Sequence, residues 1–435
     1  MPKYYIWTIG CQMNKAESQR VADYLELLGY QATLALQKAD LVLLNTCVVR
    51  QSAEAKVIGT LGYLKGIKNS KPDLSILVTG CFVDSDVKQL QKSFPHVNLF
   101  FKPSDYVGLL NWAEKQGISV PGYKMSLPLT KRVTVSAFVP IIQGCNNFCS
   151  YCIVPYRRGR EKSRPVDEIV CEVGELLRYG AREATLLGQN VNSYGHDLPT
   201  QPDLSDLLTE LNNINGLARI RFLTNHPKDM SQQLIQAVAS LDKVCKHISL
   251  PLQSGDNHVL KAMRRGYTVE QYRRLVGSIR NCIPEVALST DVIAGFPGES
   301  EEQFVRTLAV LEEGRFDTVH VAAYSPRLGT IASREYEDTV PPELKKERLN
   351  RVEALQANIA DEINSRLIGK EVEVLIEGKK GGKWYGRTRS NKLVFFESGS
   401  NCLGQLIDVT ITKASPWALQ GEIPIDDNRL EESKR

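Results

Sequence analysis

Short apolar runs alternate with longer amphipathic stretches along most of the chain, and the rhythm changes only near the C-terminal end. Within residues 1–120, Tyr4–Ile9, Leu41–Leu44 and Ser75–Val78 read as buried strands. Between the first two, Val21, Leu25 and Leu28 recur at helical spacing in Glu17–Leu28, and Gly29 supplies a stop. Strand–helix–strand order predicts a small parallel sheet. A turn-rich linker, Gln116–Lys131, follows.

Val133–Ile142 opens a second region in which strands and helices repeat. Glu183–Leu187, Ala218–Leu223, His247–Leu250, Ala287–Ile293 and Thr318–Ala323 are its further strands. Pro165–Tyr179 and Val269–Cys282 are among the helices between them. Strands joined by helical crossovers predict a βα barrel, complete or partial, with chemistry at the C-terminal ends of its strands. A long helix over Glu343–Arg366 leads into a region of period-two alternation. There Glu371–Ile376, Trp384–Arg389, Lys392–Phe396 and Leu406–Thr412 predict a small β-barrel.

Composition narrows the class. With 42% hydrophobic and 24% charged residues the chain has ordinary globular character. No stretch is apolar enough to span a bilayer, and the run after Met1 is too short for a signal peptide, so the expected compartment is the cytoplasm. Net charge is only +4, but Arg366–Gly421 carries nine Lys and Arg against five Asp and Glu. The tail after it is acidic. Ten cysteines over 435 residues are too sparse for a disulfide framework, and cysteines set in motifs then read as metal ligands or catalysts.

Gly144–Cys152 places Cys145, Cys149 and Cys152 at a C-x3-C-x2-C spacing. Thiolates are the ligands of iron–sulfur clusters, which normally take four. Three can grip three irons of a cubane and leave the fourth open to a substrate or cofactor. Structural zinc competes for such a set, but it usually takes four ligands in two pairs, and no fourth stands close by. A second set is spread along the first region. Each of its strands runs into a cysteine, Cys11, Cys47 or Cys81, and parallel sheets gather such strand ends on one edge. Buried structural cysteines are the plain alternative for any one of these, but three repeats of one arrangement argue for a site. Cys171, Cys245, Cys282 and Cys402 have no such partners and read as core or surface residues.

The triple-cysteine loop with Tyr151 before its last thiol resembles the radical S-adenosylmethionine signature. Together with Cys11, Cys47 and Cys81, a central barrel and a C-terminal β-domain of the TRAM type, it resembles the methylthiotransferases, and nearly the whole chain is covered. The MiaB type, the branch acting on prenylated adenosine in tRNA, is the nearest. Gly10–Asn14, Gly144–Tyr156, Leu187–Gly195, His226–Met230, Gln253–Gly255, Gly295–Glu299 and Gly386–Asn391 carry the likeness. Cys81-Phe82-Val83-Asp84 departs from the pattern, which more often has Ala-Gln after that cysteine.

The resemblance implies an α/β chain in three parts. These are an N-terminal α/β domain with a parallel sheet (1–120), a radical-SAM (βα) barrel, partial or complete (131–366), and a small antiparallel TRAM-like β-barrel (367–425). An acidic tail, 426–435, follows. It implies two [4Fe-4S] clusters, on Cys145/Cys149/Cys152 and on Cys11/Cys47/Cys81, with S-adenosylmethionine as both methyl donor and source of a 5′-deoxyadenosyl radical. Tyr151, Gln189, Asn190, Gln253, Ser254, Gly295 and Glu299 would line the cofactor pocket. Arg157, Arg158 and Arg160 beside the cysteines, and Lys383, Arg387, Arg389 and Lys392 in the small barrel, would meet RNA phosphates. The basic run past the cysteines also reads as ordinary surface charge. The expected partners are a tRNA anticodon stem-loop, a flavodoxin- or ferredoxin-like electron donor and a sulfur donor, with no membrane and a monomer as the default. The expected reaction is methylthiolation of C2 of N6-dimethylallyladenosine 37. Its alternatives are threonylcarbamoyl adenosine, a ribosomal protein side chain, or an RNA-binding scaffold whose clusters are structural or redox-sensing.

Overall fold

The structure is a computed structural model that describes residues 1–48, 51–83, 86–119 and 134–424. Most of the linker Gln116–Lys131, Asp84 and the acidic tail lie outside the described residues.

The first region is a parallel sheet centred on β1 (Lys3–Thr8), β2 (Leu41–Thr46) and β3 (Ser75–Gly80), paired in that order. Two-residue strands, Gln31–Ala32 and Leu99–Phe100, flank it, both parallel to their neighbours. β2 is buried along its whole length, as a strand covered on both faces must be. Helix α1 spans Gln12–Leu27 and starts five residues before the expected Glu17. Its first turns bury Asn14, Glu17 and Ser18 alongside Met13 and Ala16, so the buried face is partly polar and hydrophobic periodicity misses it.

The central region forms two three-stranded parallel sheets. One orders Arg219–Phe222 (β6), Glu183–Leu187 (β5) and Ser136–Pro140 (β4). The other orders His247–Ser249 (β7), Ala287–Ala294 (β8) and Thr318–Ala323 (β9). A parallel bridge between Ile220 and Val244 joins the two, and β4 and β9 do not pair among the described residues. The result is a partial six-stranded barrel. Its apolar interior and the helices around it share one core, from Val139 and Leu186 to Phe304 and Phe316.

A 24-residue helix, Pro342–Ser365, leads to a closed barrel of five strands: Glu371–Lys380, Lys383–Thr388, Leu393–Phe396, Leu406–Ala414 and Leu419–Glu422. The expectation of four strands misses the last, which is only four residues long. That strand closes the barrel by pairing antiparallel with Leu406–Ala414 and parallel with Leu393–Phe396, so one seam departs from the antiparallel plan.

The two flanking parts sit at opposite ends of the central one. Met13 and Ala16 of α1 pack on Leu187 and Leu223, at the C-terminal ends of β5 and β6. The small barrel meets their N-terminal ends. There the fully buried Arg219 donates to Arg387 O (2.6 Å), Glu373 O (3.1 Å) and Glu373 Oε1 (2.7 Å). Arg221 pairs with Glu183 (3.1 Å) and donates to Thr388 O, while Lys392 pairs with Asp317 (2.7 Å). Among the described residues no helix is long and apolar enough to cross a membrane.

Candidate functional site

The three cysteines of the first region stand at the C-terminal ends of β1, β2 and β3. Gly10 has φ +127°, and a Cβ there would lie 2.8 Å from Cys47 Cβ. At Gly80, φ is +94° and a Cβ would lie 2.2 Å from Thr46 O. Only glycine permits either approach, so a glycine before Cys11 and another before Cys81 let neighbouring strand ends crowd together. Asn14 fastens this edge. It is fully buried and donates to Asn45 Oδ1 (3.0 Å) and Thr46 O (2.8 Å), and its Oδ1 accepts from Cys11 Sγ (3.4 Å). Cys47 and Cys81 are buried and Cys11 is exposed.

The triple-cysteine loop leaves β4 and closes on its own return segment. Cys145 N–H donates to Gly159 O (3.1 Å), and Gly144 N–H to Gln189 Oε1 (2.6 Å). Cys145 and Cys149 are buried and Cys152 half-buried. Burial, reinforced by Cys149, pushes the Cys152 thiol up to about 12. Burial also raises Cys145 and Cys81, although for Cys81 the nearby Arg158 guanidinium works the other way. Such thiols stay protonated in water at neutral pH and release their protons to solvent when a metal binds the sulfur. Among the described residues no three His, Cys, Asp or Glu side chains close on a single metal-ion position. The donor set fits a cluster better than one zinc, because each thiolate of a cubane holds a different iron.

Around the loop lies a polar network in which sequence reasoning finds Tyr151 and Asn190 but misses Arg265. Arg265, 5% exposed, reaches Cys149 Sγ (3.4 Å), Tyr151 OH (3.4 Å) and Pro251 O (3.2 Å). Its neighbour Tyr267 lies edge-on to His226. Burial first, then Arg265 and Lys228, lower the His226 pKa to about 2, so its imidazole is neutral. Asn192 exchanges hydrogen bonds with the His226 backbone, at 2.9 Å each way. Asn190 Oδ1, Asn225 Oδ1 and His226 Nε2 are buried without a partner. Unsatisfied polar atoms at the C-terminal ends of β5 and β6 fit a polar cofactor or substrate between them. Arg265 follows Arg264 in what reads as a solvated basic pair, and no spacing rule marks it.

Of the expected pocket residues, Tyr151 lies beside Arg265, and Gln189 holds the cysteine loop. Asn190 donates to Asp229 (2.8 Å) and keeps its orphaned oxygen. Gln253 is buried with φ +71° and forms an isolated bridge with Val292. Ser254 is fully buried and accepts from Asp256 N (3.3 Å). Gly295 and Glu299 are tied together and to the long helix, since Glu299 Oε2 accepts from Gly295 N (2.7 Å) and Arg348 (2.9 Å). Glu299 is 4% exposed.

The basic residues also divide. Arg160 is exposed, over the Phe148 ring at 4.5 Å, and Arg157 is half-buried. Arg158, expected toward RNA, is buried instead and pairs with Glu17, because α1 lies across it. Lys392 is spent on Asp317, and Arg389 on the Val244 carbonyl and Glu373, where the small barrel docks. Arg387 remains half-exposed beside Glu377, and Lys383 beside Glu397. Lys379 stands over Trp384 at 5.2 Å, at the free end of the barrel's first hairpin.

Comparison with known proteins agrees with this division of the chain. Residues 139–311 match the Radical SAM superfamily, residues 3–102 the Uncharacterized protein family UPF0004, and residues 365–423 the TRAM domain. Among solved structures, the radical S-adenosylmethionine methyltransferase TsrM of Kitasatospora setae superposes with TM-score 0.55. It is 15% identical over 77% of each chain, a likeness of fold alone. Curated relatives are far more similar. The tRNA-2-methylthio-N(6)-dimethylallyladenosine synthase of Dehalococcoides mccartyi is 51% identical over 97% of this chain and 99% of its own. That of Dictyoglomus thermophilum is 46% identical, with coverage of 97% and 99%. Identity at this level, end to end, means that the chain belongs to the family of tRNA-2-methylthio-N(6)-dimethylallyladenosine synthases.

Proposed function

We propose that Cys145, Cys149 and Cys152 hold the [4Fe-4S] cluster that binds S-adenosylmethionine, and that Cys11, Cys47 and Cys81 hold a second. The chain is a radical S-adenosylmethionine enzyme that methylthiolates C2 of N6-dimethylallyladenosine 37 in tRNA. The observation that carries the reading is the meeting of the two cysteine sets across one interface. Helix α1, which begins directly after Cys11, packs on the strand ends that position the triple-cysteine loop. When bound, the first cluster supplies reductive cleavage of S-adenosylmethionine, and the second the sulfur to be inserted.

The residues of this chain prepare the space between the two sets. Arg265 places a buried positive charge beside Cys149, where anionic sulfur and a cofactor carboxylate would otherwise repel. His226, held neutral with its Nδ1 accepting from Lys228 N–H (3.3 Å), carries its proton on Nε2 and can donate there without adding charge. Asn190 and Asn225 offer acceptors to a nucleoside or to the cofactor. The small barrel binds the tRNA through the free hairpin end near Lys379 and Lys383, and exposed Arg160 adds a phosphate contact near the cysteines. The target adenosine is taken out of its stack to reach the pocket.

Iron and sulfide analysis of the anaerobically reconstituted protein tests the site assignment. About eight irons per chain follow from two cubanes. Replacing Cys145, Cys149 and Cys152 with Ala leaves about four and abolishes deoxyadenosine formation. Cleavage that survives the change places the cofactor elsewhere.

A further inference from the structure

The basic run after the cysteines contains one residue that does not behave as surface charge. The Arg158 guanidinium is 2% exposed and lies in the interface between the N-terminal region and the central barrel. Burying a guanidinium is costly unless every donor is met and its charge is balanced. Glu17, itself buried, balances the charge and accepts from both terminal nitrogens. That pairing leaves Nε–H free, and it points at Cys81 Sγ, 3.3 Å away. One terminal nitrogen also reaches Asn14 Oδ1 at 3.4 Å, the atom that accepts from Cys11 Sγ. A single side chain therefore touches two of the three thiols of one set, one directly and one through Asn14. Its backbone belongs to the other set: Gly159, next in the chain, accepts the Cys145 N–H at 3.1 Å.

We propose that Arg158 is a positioning residue for the second cluster, donating an N–H···S hydrogen bond to Cys81 that sets the cluster's reduction potential and fixes its place relative to the Cys145 loop. The proposal rests on the two-cluster reading. Donors and positive charge at cluster sulfurs favour the reduced, more negative state. Arg158 thus raises the potential of the second cluster, and Glu17 offsets part of that rise. The two residues act with opposite signs, which a simple packing role would not produce.

The test is a potentiometric titration of the reconstituted full-length protein, followed by electron paramagnetic resonance. The wave that moves when S-adenosylmethionine is added belongs to the Cys145 loop, and the other wave reports the second cluster. Arg158→Gln is expected to shift only that other wave to lower potential, Arg158→Lys to shift it less, and Glu17→Gln to shift it upward. If Arg158→Gln loads poorly, Arg158→Lys and Glu17→Gln still carry opposite signs. An unmoved second wave in all variants, or a shift of the same sign in all of them, overturns the proposal. A wild-type protein with about four irons and one wave instead removes the two-cluster reading, and the proposal falls with it.

Discussion

Gln189 Oε1 accepts the N–H of Gly144 at 2.6 Å, so the loop after β5 holds the loop that carries Cys145. Leaving a backbone N–H unmet in a semi-buried loop costs about 1–3 kcal/mol. Gln189→Leu should therefore loosen the cysteine loop and lower iron content from about eight toward about four, while Gln189→Glu, which keeps an acceptor, retains most of it. Iron analysis on both variants checks this. Full loading of Gln189→Leu would show that the loop holds itself.

Glu172 joins two arginines at the seam between the first and second regions. Arg20 meets it at 2.8 Å and Arg164 at 2.6 Å, and the carboxylate side chain is 6% exposed. Removing the acid leaves two cations facing each other in a partly dry interface. Glu172→Ala should cost about 3–5 kcal/mol in denaturant unfolding. Protease should also release the N-terminal region sooner.

Arg219 makes the corresponding tie to the small barrel through Arg387 O and Glu373. Arg219→Ala should free the barrel to move, weakening tRNA binding while leaving deoxyadenosine formation without tRNA near the wild-type rate. Binding by gel shift and deoxyadenosine by chromatography separate the two. Equal loss of both would mean that the substitution damages the central barrel.

His247 lies in the same junction. Burial first, then Arg221, His320, Lys392 and Arg387, lower its pKa from 6.5 to about 3. The folded state therefore keeps it neutral while the unfolded state protonates below about 6.5. Its contribution to stability is complete above pH ~6.5 and is lost as pH falls toward about 3. Between pH 7 and pH 5 the wild type should lose about 2 kcal/mol more than His247→Gln. Chemical unfolding at the two pH values measures the difference.

The six cysteines stand out in the sequence because their spacing and their places after strands leave a mark. The sequence also revealed the alternation of strands and helices, since buried strands such as Leu41–Thr46 are continuous apolar runs. What it hid depends on distant partners. Arg158 and Arg160 look alike in the chain, and only the helix folded across the first makes it interior. The pairing of Glu299 with Arg348, 49 positions away, leaves no mark in the chain. The contacts of Lys392 with Asp317 and of Arg389 with the Val244 carbonyl, where the small barrel docks, leave no mark in the chain either. The early start of α1 was hidden by the polar residues it buries, and the last barrel strand by its brevity.

The central claim is tested most directly by anaerobic reaction of the reconstituted protein with S-adenosylmethionine, a reductant and two tRNAs, one bearing N6-dimethylallyladenosine and the other N6-threonylcarbamoyladenosine. Nucleoside mass spectrometry should find a methylthio group on the prenylated adenosine alone. A methylthio group confined to the threonylcarbamoyl nucleoside, or on neither, would contradict the account.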